Sequence, residues 1–187
     1  LIFAEILRTL KGCGYRVKAR LLNAMFYGVP QSRERMIFVG VREDIGRESS
    51  HPDGWSDPIT PRVAFAGVDV SDAPRLDDAG KRIASLMVPG NYSGSNAESA
   101  FKAVIGKTGG SMNCKLLSWD RPACTIIKQE IGRSGVIHPS RERRCSTREL
   151  ARIASFPDAF RFTDRKHAVE RIGNSVPPLL MRSIARH

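Results

Sequence analysis

The chain has 187 residues, of which 41% are hydrophobic, so it is long and apolar enough to bury a core and is not a disordered segment. Its formal net charge of +11 favours a polyanionic partner, nucleic acid first, with a charged surface for solubility as the alternative. The sequence has no apolar run of membrane-spanning length and no visible secretory leader, so we expect a cytoplasmic protein without a membrane partner.

The positive charge lies in the two flanks of the chain and not in its middle. Residues 1–41 carry 7 basic and 2 acidic side chains, residues 42–113 carry 8 and 10, and residues 114–187 carry 15 and 7. We therefore expect the polyanion to meet the two flanks. The four cysteines have no metal-ligand spacing, so we expect free thiols and no metal site.

The first third of the chain predicts one helix and two strands. Apolar residues at helical spacing predict a helix that includes Leu1 and ends at Gly12 and Gly14. Because the sequence opens inside this helix without a methionine, we expect it to be a piece of a longer protein. Alternating apolar and basic residues predict a strand over 15–21, and an apolar run predicts another over 35–41. Their connection is too short for a helical crossover, which favours antiparallel neighbours at the end of an α/β sheet.

Polar side chains at a spacing of two precede the second strand. In an extended segment this spacing places Gln31, Arg33 and Arg35 on one face. Open α/β sheets bind ligands beyond the C-terminal ends of their parallel strands. If the first strand is parallel to such a sheet, these side chains point toward a ligand. A solvated strand end, in which Glu34 offsets the charge, is the alternative.

Residues 42–113 contain scattered glycine and proline and predict a small inserted domain. One helix is predicted between Leu76 and Met87. A second helix is predicted to be capped by Asn96 and closed by Gly106.

The last third predicts further strands and helices. Strands are predicted over 116–119 and 123–127, and a capping box formed by Ser146 and Glu149 predicts the start of a helix. Three phenylalanines after this helix are predicted to be core residues: Phe156, Phe160 and Phe162.

The last predicted helix follows a run of polar residues and prolines. Asn174 or Ser175 is predicted to cap it, and Pro178 lies near its first position.

Four segments, in this order, resemble the C-terminal part of a DNA cytosine-5 methyltransferase of the bacterial modification-methylase type. Residues 26–35 resemble the family's Gln-x-Arg-x-Arg motif, and residues 117–126 resemble its Arg-Pro-x-x-Thr-Ile motif. Residues 147–158 resemble the segment that follows, and residues 173–178 resemble the last motif. Residues 42–113 fall where this family keeps its variable target-recognition region. Each motif alone is weakly specific, but four in order are strong evidence.

The resemblance implies an α/β fold, namely the C-terminal part of an AdoMet-dependent, Rossmann-like methyltransferase sheet that a small mixed target-recognition domain interrupts. Residues 1–46 would be the last helix and strands of the catalytic domain. Residues 47–140 would be the target-recognition domain. Residues 141–187 would be a hinge and a C-terminal helix that returns to the catalytic domain.

The resemblance also implies an activity. The chain would be part of an enzyme that transfers a methyl group from S-adenosyl-L-methionine (AdoMet) to C5 of a flipped-out cytosine in a specific site of double-stranded DNA, within a restriction-modification system. The family's AdoMet-binding glycine loop, Pro-Cys nucleophile motif and Glu-Asn-Val motif would precede Leu1. No cysteine of this chain follows a proline, and we reject Cys124 as the nucleophile. We therefore expect the chain alone to be inactive without a missing N-terminal catalytic portion, on the same chain or a separate subunit.

Two other functions stay open. The chain could be a non-catalytic DNA-binding subunit or a remnant of a split methyltransferase, because it lacks the nucleophile and has basic flanks. A related enzyme that methylates transfer RNA is the second alternative.

The implied chemistry assigns roles to individual residues. A thiolate attacks C6 of the flipped cytosine and charge develops at N3 and O2 of the ring. Arg35 is the predicted O2 donor, with Arg33 and Gln31 shaping the pocket, and an ion pair at the strand edge is the alternative for Arg35. Asn174 and Ser175 are predicted to meet AdoMet, because a pair of backbone N–H groups at a helix start suits its carboxylate, or they are helix caps alone. Contacts with DNA phosphates, or a role in bracing the small domain, are expected for Arg121, Thr125, Arg141, Arg143, Arg144 and Arg148. For any single arginine of the run 141–152, a solvated helix face is a further alternative.

Overall fold

The computed structural model describes residues 2–187, so the predicted helical position of Leu1 lies outside the described residues. Within that range one helix and a pair of strands are followed by three helices, two short strands and three further helices, and two 3-10 turns, Ala24–Tyr27 and Glu43–Ile45, follow the first two strands. The elements are α1 (Ile2–Gly12), β1 (Tyr15–Asn23), β2 (Glu34–Arg42), α2 (Pro61–Ala64), α3 (Asp78–Leu86), α4 (Gly94–Ile105), β3 (Cys114–Leu116), β4 (Gly135–Ile137), α5 (Thr147–Ile153), α6 (Arg165–Asn174) and α7 (Pro178–Arg186).

The first helix and the hairpin after it confirm the prediction for this part of the chain. α1 ends at Gly12, and Gly14 adopts a φ of 79°, which a residue with a side chain would adopt only at a cost. β1 and β2 are antiparallel, and their register runs from the pair Tyr15 and Arg42 to the pair Asn23 and Glu34. The connection between them therefore begins and ends at paired residues, Asn23 and Glu34.

The two predicted helices of the middle region form, but the cap predicted for the second is wrong. Asp77 caps α3, because its carboxylate accepts a hydrogen bond from the Gly80 N–H. Asn96 lies inside the first turns of α4. Its side chain instead accepts from Val88 N and donates to the carbonyls of Val88 and Asn91, so it ties α4 to the preceding loop.

The strands predicted after residue 113 are wrong in extent. β3 stops at Leu116 and pairs in parallel with β4 over three residues. Segment 123–127 forms no regular strand, and Ala123 makes a single parallel bridge with Gln31. Side chains from other segments take the place of a ladder here, since a guanidinium binds the Ile126 carbonyl.

The C-terminal helices differ from the prediction at their ends. The capping box at Ser146 and Glu149 is confirmed. α6 was not predicted, although Asp164 caps it and a face of small and apolar residues buries it. Asn174 is the last residue of α6 and Ser175 follows it, so neither caps α7.

Three buried clusters hold the elements together. One joins α3 and α4 to β3 and β4. A second surrounds α5 and α6 and includes side chains from residues 117–136. The third buries Leu180 of α7 against Leu22, Ala24, Tyr27 and Val29, so the last helix packs on the end of β1 and the turn that follows it. The division of the chain into domains stays a prediction.

The phenylalanines after α5 are less buried than predicted. Phe156 and Phe162 are partly buried against the second cluster, whereas Phe160 is 44% exposed and is not a core residue. The ring of Phe160 lies 5.1 Å from that of Phe156 and 5.0 Å from that of Phe162, so the three rings cover one another at the surface.

None of the helices within residues 2–187 has the length and apolar character needed to cross a membrane.

A buried histidine lies beside the capping box. The His138 ring stacks on Phe65 at 5.6 Å and meets the edge of Trp119 at 5.0 Å, and its Nε2 atom lies 3.6 Å from the Glu149 carboxylate. Burial first, and then the Arg143 charge, lower the pKa of His138 to about 4, although Glu149 acts in the opposite direction. The ring is therefore neutral at pH 7.

This histidine predicts a loss of stability in acid. In the unfolded chain His138 takes up a proton near pH 6.5, whereas in the folded chain it does so only near pH 4. Its contribution to the free energy of unfolding is therefore fully present above pH 6.5 and is lost as the pH falls through 4. We expect a loss of about 2 kcal/mol in the free energy of unfolding from this group. His138→Phe, measured by urea unfolding at pH 7.0 and 4.5, should lose less stability over this interval than the wild type. Parallel profiles would contradict the assignment.

Candidate functional site

The Asn23 side chain joins the two ends of the connection between β1 and β2. The Asn23 side chain accepts hydrogen bonds from the N–H groups of Met25 and Arg33, both at 3.2 Å, and donates to Ser32 Oγ at 3.1 Å. The Ala24 N–H donates to the Arg33 carbonyl at 2.9 Å. Sequence reasoning missed this residue, although an asparagine directly after a strand is a typical turn and cap residue. Asn23 thus fixes where Arg33 leaves the turn.

The Arg33 side chain joins three distant segments of the chain. Its Nη1 donates to the Ile126 carbonyl at 3.1 Å, and its Nη2 donates to the carbonyls of Gly173 and Ser175 at 2.8 and 3.0 Å. Gly173 belongs to the last turn of α6, whose carbonyls lack helical partners and attract a cation. We call this contact between residues 31–35, 123–127 and 173–175 the junction.

Arg33 keeps its charge in the junction. Only 3% of its surface is exposed. Burial first, and then the nearby Arg35 charge, lower the pKa of Arg33 to about 10, so the guanidinium stays protonated at neutral pH.

Gln31 is the most enclosed of the three predicted pocket residues. Its surface is 1% exposed, and its two neighbours bind the 123–127 segment: Ala123 N donates to the Pro30 carbonyl at 3.0 Å, and Ser32 N donates to the Ala123 carbonyl at 2.8 Å. Neither polar atom of its amide has a hydrogen-bond partner among residues 2–187. An amide without partners in a buried position is costly, so Gln31 is a polar group that the described part of the chain leaves unsatisfied.

Arg35 is half-buried, on the same face as Gln31 and Arg33, as the spacing predicts. Its Nη1 donates to the Glu34 carbonyl at 2.6 Å. Within residues 2–187 no carboxylate approaches its guanidinium within 4.0 Å, so the alternative of an ion pair at the strand edge is not formed. Its positive charge is available to a ligand.

The residues predicted to meet AdoMet lie at the junction, but not at a helix start. Asn174 is exposed at the end of α6. The Ser175 N–H donates to the Arg171 carbonyl at 3.0 Å and its hydroxyl donates to the Ile172 carbonyl at 2.9 Å. A pair of backbone N–H groups for a carboxylate is therefore absent at Ser175, and the prolines that begin α7 supply none. That predicted geometry is wrong.

Most of the arginines predicted to contact phosphates have partners within the chain. Arg143 makes two hydrogen bonds, of 2.6 and 2.8 Å, to the buried Glu149 carboxylate, and Arg144 binds the Gly132 carbonyl. The other two of the run bind carbonyls, Arg141 that of Ser85 at 3.0 Å and Arg148 that of Phe160 at 3.1 Å.

The remaining two predicted phosphate ligands lie on either side of Pro122. Arg121 is exposed. Thr125 donates to the Ser32 carbonyl at 3.0 Å and so belongs to the junction. The role of all six residues in DNA binding stays a prediction.

The buried cysteines are not activated thiols. All four are free thiols, and only Cys13 is exposed. Burial raises the pKa of Cys124 to about 12 and raises that of Cys145 well above its usual range, so both stay protonated at neutral pH. Residues 2–187 contain no cluster of His, Cys, Asp and Glu that could hold a metal ion.

Curated relatives match almost the whole chain. The Type II methyltransferase M.BspRI of Lysinibacillus sphaericus is 33% identical over 219 residues, which cover 99% of this chain and 46% of that protein. The Type II methyltransferase M.BsuRI of Bacillus subtilis is 30% identical, over 98% of this chain and 44% of that protein. The chain spans about half the length of these relatives.

Solved structures share the fold. An Escherichia coli prophage-encoded protein described as a DNA modification methyltransferase superposes with a TM-score of 0.64 at 22% identity, over 100% of this chain and 65% of that one. The Entamoeba histolytica methyltransferase EhMeth gives 0.55 at 18% identity, over 98% and 56%. The chain is thus a mixed α/β, partial methyltransferase fold. Residues 1–187 match the family of C-5 cytosine-specific DNA methylases, and the chain belongs to this family.

Proposed function

We propose that the chain is the C-terminal part of an enzyme that methylates C5 of a flipped-out cytosine in a specific duplex DNA site, within a restriction-modification system. Family membership and the Type II methyltransferases among its relatives support this proposal. The observation that carries it is the junction, because one buried side chain, Arg33, binds segments from three of the four motif-like regions together. Such a contact holds Arg35, beside it, in a fixed position.

Arg35 is the residue to which we assign a direct part in the chemistry. Attack on C6 of cytosine moves negative charge toward O2 and N3 of the ring. A fixed cation that donates a hydrogen bond to O2 stabilises that charge, as donors do in an oxyanion hole. Arg35 suits this role because its guanidinium is half-buried and is not paired with a carboxylate of residues 2–187. Gln31 and Arg33 shape the surroundings from behind it.

AdoMet is the methyl donor of the family. The residues of this chain would form only a small part of the AdoMet site, because the N–H and hydroxyl groups of Ser175 already donate hydrogen bonds to carbonyls of α6. The exposed side chain of Asn174 is the group that this chain offers. The main AdoMet site and the nucleophile then belong to the missing N-terminal portion.

The first helix presents a surface for that portion. α1 buries none of its residues, and Ile2, Phe3 and Ile6 are 76%, 45% and 39% exposed. An apolar helix face beside a two-stranded hairpin is incomplete as a core. We assign this surface to the N-terminal portion of the enzyme, whether it lies on the same chain or on a separate subunit.

The proposal is tested by assembling the active enzyme. Combined with a complementary N-terminal portion, Arg35→Ala should lose methyl transfer by about 100-fold or more, as expected for an oxyanion donor, while duplex binding is retained. The measurement is incorporation of tritiated methyl groups from AdoMet into duplex DNA. Arg186→Ala, which removes an exposed arginine at the end of α7, is the matched control and should leave the rate unchanged. Unchanged transfer by Arg35→Ala would remove Arg35 from the chemistry.

The chain alone is expected to transfer no methyl groups, since none of its cysteines follows a proline, as the nucleophile of the family does. The same tritium assay on the purified chain tests this, and incorporation would refute it. An in-frame Pro-Cys motif and glycine loop upstream of the Leu1 codon favour a single enzyme. A stop codon, with those motifs in a separate gene, favours a split enzyme.

The second candidate is a DNA-binding subunit or remnant without chemistry of its own, which the basic flanks favour. Methylation of transfer RNA is a third candidate. Replacing duplex DNA by transfer RNA in the assembled assay separates it from the first.

A further inference from the structure

A basic cleft lies directly beside the junction. It has a volume of about 630 Å³ and runs between residues 128–131 and the first turns of α6. Its charged lining consists of four cations and two anions, namely Lys128, Arg144, Arg165, Lys166, Glu130 and Glu170. We call it the α6 cleft.

The single negative charge of Glu130 offsets part of the charge of two cations in the α6 cleft. Arg165 makes two hydrogen bonds of 3.0 Å to the Glu130 carboxylate, and Arg144 approaches the same carboxylate to 3.9 Å. The Nη1 atom of Arg165 is enclosed and has no hydrogen-bond partner among residues 2–187. Since a guanidinium carries five donors, Glu130 satisfies this side chain only in part.

The other two cations are not neutralised. Lys128 and Lys166 are exposed, and no carboxylate of the described residues lies within 4.0 Å of either ammonium. The cleft therefore carries an excess of positive charge on the side where these two lysines stand. An exposed lysine alone is usually solvated, but two that line the same cleft attract an anion that can reach both.

The cleft is continuous with the junction. Gly173 packs so closely on the backbone of Ile127 and Lys128 that a Cβ atom at this position would overlap it. Lys128 also follows Ile126 by two residues, and the Ile126 carbonyl accepts a hydrogen bond from Arg33. A polyanion that reaches Arg35 at the junction passes close to the α6 cleft.

We propose that the α6 cleft binds the phosphodiester backbone of duplex DNA next to the target cytosine, through Lys128 and Lys166. This inference rests on the proposed function, because it takes its polyanion from there. Glu130 lines the cleft and binds Arg165, so that Arg165 is not available to the phosphates. Glu130 therefore limits the affinity of the cleft.

The test is duplex binding by the purified chain at several salt concentrations. The affinity constant K falls as salt rises, and each lost phosphate contact makes the slope of log K against log [salt] less steep by about 0.9. The double variant Lys128→Ala/Lys166→Ala should therefore make it less steep by about 2. We expect its affinity at low salt to fall about tenfold or more. Arg182→Ala/Arg186→Ala removes the same charge from exposed positions of α7 and should change the slope by less than half as much. Equal slopes for the two double variants would overturn the inference.

A variant that removes the negative charge of Glu130 should change duplex affinity in the opposite direction. Glu130→Gln removes the carboxylate that binds Arg165, so Arg165 becomes available to the phosphates and duplex affinity should rise several-fold. Glu98→Gln makes the same change in net charge on the exposed side of α4 and should have a smaller effect. A purely structural Glu130 would lower the melting temperature without raising the affinity, which would count against the proposal.

The outcomes separate this inference from the proposed function. A wild-type chain that binds no duplex, or that binds a structured RNA more tightly at equal salt, would overturn the α6 cleft as a DNA site. Methyl transfer by the assembled enzyme would still stand or fall by its own assay. Conversely, salt slopes as expected would support the cleft even if the assembled enzyme transferred no methyl groups.

Discussion

Replacing Arg33 by alanine should lower the free energy of unfolding by about 3 kcal/mol or more. The guanidinium is buried and donates to three main-chain carbonyls, of which two lie at the end of α6. The variant leaves these acceptors without a partner in an enclosed site, and each loss of a charged donor costs about 1 to 3 kcal/mol. For a chain of this size, that change lowers the melting temperature by roughly 6 to 12 °C, measured by thermal unfolding.

Two further variants separate stability from chemistry. Arg35→Ala removes a half-buried arginine that binds one neighbouring carbonyl, so its free energy of unfolding should change by about 0.5 kcal/mol or less. Arg33→Lys keeps the charge, but one ammonium cannot reach carbonyls that lie on both sides of the guanidinium, so it should recover less than half of the loss. Equal melting temperatures for the alanine variants of Arg33 and Arg35 would contradict the role of Arg33 in the junction.

The geometry of this segment could be predicted from the sequence only in part. A spacing of two places Gln31, Arg33 and Arg35 on one face, and the structure has them there. The partners of Arg33 could not be predicted, because they lie 93, 140 and 142 residues away along the chain. They are also main-chain carbonyls, which every residue carries, so no side-chain pattern marks them.

The basic run shows a different limit of sequence reasoning. The capping box of Ser146 and Glu149 follows from local residue types and is confirmed. The same Glu149 carboxylate also binds Arg143, which had been counted with the charges available to DNA. Counting charges cannot tell a paired arginine from an exposed one, because pairing depends on which side chains the fold brings together.

The errors in secondary structure have two physical causes. Segment 123–127 is rich in residues that favour strands, but such residues favour a half-buried extended surface and not a particular partner strand. Here the main chain of Pro30 and Ser32 and the side chain of Arg33 bind the segment, and no ladder forms. Helix α6 was missed for the opposite reason, since its short apolar face lies among charged residues and tertiary packing stabilises it.

Of the substitutions in the junction that add a single methyl group, Gly173→Ala should lower the stability of the chain most. A Cβ at this position would lie 2.5 Å from the Lys128 Cα and closer still to other backbone atoms of Ile127 and Lys128. A backbone cannot rotate away as a side chain can, so α6 and the 123–127 segment must separate. We expect a loss of about 3 kcal/mol, at the upper end of the usual range for overpacking. Thermal unfolding measures it.

The matched control is the same exchange in an open position. Gly12 lies at the end of α1, where a Cβ would meet nothing within 4 Å, and alanine has the higher helix propensity. Gly12→Ala should therefore stabilise the chain by up to about 1 kcal/mol, opposite in sign to Gly173→Ala. Because the Gly173 carbonyl accepts from Arg33, the two damaging variants act on one contact, and their combined loss should be smaller than the sum of the two. Additive losses would show that Gly173 and Arg33 stabilise separate parts of the fold.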